Sequence, residues 1–207
     1  MQVSTLWIVR HTLPQGGEGR CCGRHDLPLS AEGIQHAKAL AQQFAGQSIA
    51  RVYSSGLSRA LETARILAEP HGLTVSIVET LAEIHFGDLE GLTYEETEER
   101  YPEVFRSWME RPAETHFPNG ESFAQMRSRV LSSWDSLVRR HQNECIVVVA
   151  HAGVIRTIIG NVLGLPDDHV FRLAQRYGAI NRISYFDESA VVELMNGTDV
   201  PKPDLHI

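Results

Sequence analysis

Leu6–Gln15, "LWIVRHTLPQ", runs apolar from Leu6 to Val9 and then places an arginine and a histidine side by side. Four consecutive apolar, partly β-branched residues predict a strand covered on both faces, because a half-exposed strand would alternate apolar with polar. Arg10 and His11 then stand at an exit from the core. In open α/β sheets the carboxyl ends of parallel strands are where ligands bind. A second run, "CIVVVA" (Cys145–Ala150), has the same character and ends in His151. If the two strands are parallel neighbours, both histidines emerge at one edge of the sheet.

The segments between these strands have the periodicity of helices. Ser30 suits an N-cap, Glu32 lies in the first turn, and Ile34, Ala37, Leu40, Ala41 and Phe44 recur at helical spacing. "RVYSS" (Arg51–Ser55) reads as a short strand, and the helix after it carries Leu57, Ala60, Leu61, Ala64 and Leu67 on one face. His71-Gly72 ends that helix before the strand "TVSIV". From Leu81 to Asn119 the pattern blurs into short helical pieces and a Pro-rich loop, as expected of an insertion over one end of a sheet. Ser122 and Gln125 then form a capping box before a long stripe of Phe123, Met126, Val130, Leu131, Trp134, Leu137 and Val138, which reads as core. After His151 come a helix beginning beyond Gly153, a strand pair "INRISYF" and "VVELM", and a short tail, "DVPKPDLHI". Strands alternating with helices predict an α/β fold, a three-layer α/β/α domain with a mostly parallel central sheet. One domain over residues 1–207 is expected, with a pocket-shaping insertion near 81–121.

Composition narrows the function. A formal charge of −7 without a Lys/Arg-rich block disfavours nucleic acid or an acidic membrane as partner. No window is apolar for long enough to span a bilayer, and Met1–Ser4 leads directly into the first strand, so a cytoplasmic monomer or homodimer is expected. Cys21, Cys22 and Cys145 form no spaced disulfide framework and read as thiols.

Arg59, just inside the helix after "RVYSS", also lies beyond a strand's carboxyl end. Two arginines and two histidines facing one crevice make a poor core and a good seat for a dianion, with phosphate the natural candidate. No G-x-x-x-x-G-K-[ST] occurs, and "GGEGRCCG" places Cys22 where G-x-G-x-x-G needs its last glycine. A cysteine phosphatase needs an arginine shortly after its nucleophile, yet Cys21, Cys22 and Cys145 are followed at that spacing by Leu27, Pro28 and His151. The ten histidines include no H-x-x-x-H or H-E-x-x-H, and neither metal nor cofactor is expected. What remains is histidine as nucleophile, with arginines balancing charge on the transferring oxygens. The leaving alkoxide then needs a proton from a partly desolvated carboxylic acid. Glu83, in "LAEIHFGDLEG", is best placed; Asp88 and Glu90 compete, and Glu62 reads as a solvated helix residue.

These motifs, "VRHT", "CGRHDLPLSAEG", "YSSGLSRALETA", "LAEIHFGDLEG", "FPNGESF" and "VVVAHAGVIR" in that order, resemble the histidine phosphatase superfamily, which includes cofactor-dependent phosphoglycerate mutases and many phosphomonoesterases. The resemblance implies His11 as the phosphorylated nucleophile, Arg10, Arg59 and His151 as the phosphate pocket, and Glu83 as proton donor. It also implies Cys22, Gly23 and Ala152 as substrate-binding positions. Many members have Gly after the Arg-His pair, where this chain has Thr12. The mutases carry an arginine and then a tyrosine just beyond the catalytic glutamate, where this chain has Ile84 and Phe86, so the resemblance favours hydrolysis over mutase chemistry. "RHT", a Gly-rich loop and "CCGRHDLPLS" are most similar to the α-ribazole phosphatases. The expected substrate is a small phosphomonoester such as α-ribazole 5′-phosphate. The rival readings are a broad sugar phosphatase, a phosphoglycerate mutase and a non-enzymatic phosphate-binding module.

Overall fold

The computed structural model describes residues 3–187 and 189–201. Along the chain run β1 (Ser4–Arg10), α1 (Ala31–Phe44), β2 (Arg51–Ser54), α2 (Ser58–Ala68), β3 (Val75–Ile77), α3 (Tyr94–Arg100), α4 (Pro102–Glu110), α5 (Phe123–Arg140), β4 (Cys145–Ala150), α6 (Ala152–Val162), β5 (Ile180–Tyr185) and β6 (Ala190–Gly197). The six strands form one sheet in the order β3-β2-β4-β1-β5-β6. β3, β2, β4 and β1 are parallel, β5 pairs antiparallel with β1, and β6 pairs antiparallel with β5 and so runs in the direction of the first four.

The continuous apolar runs of β1 and β4 follow from burial on both sides. Leu6, Ile8, Ile146, Val148 and Ala150 face a core shared with α5 and α6, including Met126, Trp134 and Ile155. Trp7, Val9, Val147 and Val149 face the opposite core, against Leu40 and Phe44 of α1 and Ala60, Ala64 and Leu67 of α2. Truncating fully buried Ile8 to alanine therefore costs about 2–5 kcal/mol.

The caps read from sequence are present: Ser30 Oγ accepts from the Gly33 N–H (3.0 Å), and Ser122 with Gln125 makes a full capping box on α5. Two elements differ from the sequence reading. The "TVSIV" strand shrinks to Val75–Ile77 because it is the sheet's edge, with Ser76 and Ile77 exposed. α6 begins at Ala152 rather than beyond Gly153, so its first turn abuts His151 directly. Between β3 and α5 the chain forms α3, α4 and single 3-10 turns at Glu79–Leu81, Gly87–Leu89 and Pro112–Glu114. The end of the tail, residues 202–207, lies outside the described residues.

Candidate active site

Because β1 and β4 are adjacent and in register, Arg10 opposite Ala150, the next residues His11 and His151 stand together with ring centroids 5.0 Å apart. Both rings are buried. His11 Nδ1 lies 2.8 Å from the Thr12 carbonyl, which can only accept, so Nδ1 carries the ring proton and Nε2 presents its lone pair. Arg59 Nε donates to that lone pair at 3.2 Å. Burial, then the charges of Arg59 and Arg10, hold the His11 pKa well below 6.5. Burial does the same to His151, reinforced by Arg59 and His11. Two neutral imidazoles beside two guanidiniums are therefore the resting state at neutral pH. His151 Nε2 is 2.7 Å from Ser55 Oγ, and its buried Nδ1 has no partner among the described residues.

The arginines are held by backbone carbonyls, which leaves their charge uncancelled. Arg59 is itself buried; Nη1 donates to His25 O (2.9 Å) and Nη2 to Gly23 O. Arg10 donates from Nη1 to Gln175 O, and its guanidinium carbon lies 3.9 Å from the Tyr177 ring centroid. The loop gripping Arg59 is fixed in turn. Glu90 accepts from the Arg24 and Phe86 N–H groups (both 2.9 Å) and from the His25 N–H (2.8 Å). Asp26 accepts from the N–H and hydroxyl of Ser58 (both 2.7 Å), capping α2 one residue before Arg59. Gly23 adopts φ +39°, and a Cβ there would meet Glu90 Oε1 at 2.3 Å.

These groups adjoin a cavity of about 170 Å³. Arg10, His11, Cys22, Gly23, Arg59, Glu83 and Ala152 line it, and the buried His151 ring packs directly against that of His11. Glu83 is half-buried; Oε1 accepts from the Ile84 N–H and Oε2 from the Gly153 N–H in the first turn of α6, each at 3.0 Å. The other carboxylates fall elsewhere. Glu90 is spent on the loop, Asp88 is exposed and accepts from Asn119 Nδ2 (3.0 Å), and Glu62 on α2 does not line the cavity. Burial raises the pKa of the Cys22 thiol, leaving it a poor nucleophile.

Sequence reasoning placed Ile84 and Phe86 beside the substrate and missed the other aromatic and basic residues that line the cavity. Phe86, Trp108 and Phe117 pack with centroids 4.8–5.5 Å apart, with Tyr94 against Trp108. Arg20, Arg156 and Tyr177 also line it. Arg156 carried a usable signal, since it follows Ala152 by one helical turn and so shares its face. The aromatic wall carried none, because its members come from two short helices and the loops around them, with no periodicity joining them. Among the described residues no three His, Cys, Asp or Glu side chains cluster as a metal would require, and no helix is long and apolar enough to cross a membrane.

The histidine phosphatase superfamily (branch 1) profile matches residues 6–198, and the chain belongs to that family. It is a phosphatase, in keeping with relatives named for that activity. Phosphoserine phosphatase 1 of Hydrogenobacter thermophilus is 37% identical over 161 residues, covering 77% of this chain and 76% of the relative. The adenosylcobalamin/alpha-ribazole phosphatase of Escherichia coli is 29% identical over 192 residues, covering 92% and 95%. The crystal structure of the alpha-ribazole phosphatase from Shigella flexneri superposes with a TM-score of 0.87 at 27% identity, covering 97% of this chain and 100% of that one.

Proposed function

We propose that the protein is a metal-independent phosphomonoesterase working through a phosphohistidine on His11. The observation that carries this reading is the committed tautomer: with Nδ1–H on the Thr12 carbonyl, His11 offers Nε2 as a neutral nucleophile inside a ring of cations. Substrate phosphate sits between Arg10 and Arg59, drawing Arg59 Nε from His11 Nε2 onto a phosphoryl oxygen, and the unpartnered His151 Nδ1 supplies a further donor. The Nε2 lone pair attacks phosphorus, the ester P–O bond breaks, and the leaving oxygen takes a proton from the Glu83 carboxyl. Water then attacks phosphorus and gives its proton to the Glu83 carboxylate. The P–N bond breaks, releasing inorganic phosphate and regenerating His11.

For the leaving alcohol, the Phe86/Trp108/Phe117 wall favours a flat apolar group, and α-ribazole 5′-phosphate meets that requirement. A second reading, a phosphorylated hydroxy acid such as phosphoserine, draws on Arg156. Its Nε donates to Leu173 O (2.7 Å), and the side chain lines the cavity as a partner for a substrate carboxylate. The Ile84 and Phe86 side chains offer a carboxylate no donor, which leaves Arg156 as its partner in this second reading and favours hydrolysis over a mutase's two-sided grip on phosphoglycerate. The test is kcat/KM over a panel holding α-ribazole 5′-phosphate, phosphoserine, sugar phosphates and 3-phosphoglycerate, scoring free phosphate and isomerised product. A preference for α-ribazole 5′-phosphate is expected. A preference for phosphoserine that is lost in Arg156→Met selects the second reading, and isomerisation faster than phosphate release refutes hydrolysis.

A further inference from the structure

The segment that carries Glu83 lacks a framework of its own. After the 3-10 turn Glu79–Leu81 the chain runs on outside the sheet, and the carbonyls of Thr80, Ala82 and Glu83 receive no backbone N–H among the described residues. Arg129, in the second turn of α5, takes all three. Its Nη1 donates to Thr80 O and Ala82 O (both 2.7 Å), and Nη2 donates to Glu83 O (3.1 Å). The guanidinium is aimed by Glu121, which accepts from Nε at 3.0 Å and also from Nη2. The same carboxylate accepts from the His85 N–H (2.9 Å), and the Glu121 N–H donates to His85 O (3.0 Å). Residues 80–85 are thus tied at both ends to one ion pair, with both of its side chains largely buried.

We propose that Arg129 is the positioning residue for the proton donor. With Arg129 fixing the Glu83 carbonyl from α5 and the Gly153 N–H fixing its carboxylate from α6, Glu83 is suspended between the two helices that flank its side of the cavity. The Ile84 N–H, on the same tied segment, donates to the other carboxylate oxygen (3.0 Å). An arginine suits this role because its planar fork serves several acceptors at once, and a lysine ammonium cannot reach them all. A small displacement of a general acid costs rate only where its proton is needed.

The inference rests on reading Glu83 as that acid, and the experiment separates the two ideas. We would measure kcat/KM for aryl and alkyl phosphates of increasing leaving-group pKa in wild type, Glu83→Gln, Arg129→Met, Arg129→Lys and Glu121→Gln. Folding is checked by far-ultraviolet circular dichroism. If both ideas hold, Glu83→Gln steepens the dependence on leaving-group pKa. Arg129→Met steepens it in the same sense, losing about 10- to 100-fold more activity on an alkyl phosphate than on p-nitrophenyl phosphate. Arg129→Lys and Glu121→Gln should fall between wild type and Arg129→Met, and they decide the matter by the same criterion if Arg129→Met does not fold. An equal loss on all esters in the Arg129 and Glu121 variants, beside a steepened Glu83→Gln, overturns the positioning role while leaving the acid in place. An unsteepened Glu83→Gln overturns the acid and the positioning role with it.

Discussion

Stability below pH 6.5 should depend on His11 and His151 in a way that can be measured by difference. Both rings are buried, and burial together with the neighbouring arginine charge lowers both pKa values well below 6.5. The unfolded chain titrates each near 6.5, so above that pH both states hold neutral rings and the histidines make no pH-dependent contribution. As pH falls through 6.5 the unfolded state takes up protons that the folded state refuses, and stability is lost down to the depressed folded pKa values. At pH 5.5 that loss is about 1.4 kcal/mol for each histidine, together about 2.8 kcal/mol out of the roughly 5–15 kcal/mol typical of a domain. The assay is urea unfolding at pH 7.5 and 5.5 of wild type and of the double variant His11→Asn/His151→Asn, in buffer free of phosphate. Wild type should lose about 2.8 kcal/mol more than the double variant between the two pH values. Equal losses would mean that the folded protein accepts these protons as readily as the unfolded chain, refuting the neutral-nucleophile argument.

Three further outcomes follow from particular contacts. Gly23→Ala places a Cβ against Glu90 and Phe86 at positive φ, so it should destabilise by about 2–4 kcal/mol in urea unfolding and raise KM by loosening the Arg59 loop. Asp88→Asn, altering an exposed carboxylate outside the cavity, should leave the dependence of kcat/KM on leaving-group pKa unchanged; a steepened dependence would transfer the acid role to it. Exhaustive chelation should leave turnover intact, because Arg10 and Arg59 supply the charge opposite the phosphoryl oxygens, and activity restored by added Mg²⁺ or Zn²⁺ would contradict this.

Much of the inner site could be read along the chain because each of its parts is announced locally. A doubly buried strand must be apolar throughout, so the residue where it turns polar marks the sheet's edge, as at Arg10 and His151. Ser30 and Ser122 declared the starts of α1 and α5 in the same local way. Side chains that work across the fold were not legible. Arg129 falls outside the apolar stripe of α5, and only folding brings it to the carbonyls of 80–83, roughly fifty residues away in the chain. Trp108 likewise sits on a short helix with no fully buried residue, and its meeting with Phe86 and Phe117 depends on loops without periodicity. His151 is legible as a neighbour of His11, yet the contact of its Nε2 with Ser55 Oγ, which leaves Nδ1 unpartnered, joins residues 96 positions apart and shows only in the fold.

Covalent phosphorylation of His11 is tested most directly by trapping it. Enzyme mixed with a radiolabelled phosphomonoester and quenched in alkali within the first turnover should carry phosphate that is lost on acid treatment, and peptide mapping should place it on His11. His11→Ala should carry none and turn nothing over. Label on Cys22, Glu83 or His151, or steady turnover by His11→Ala, would contradict the account.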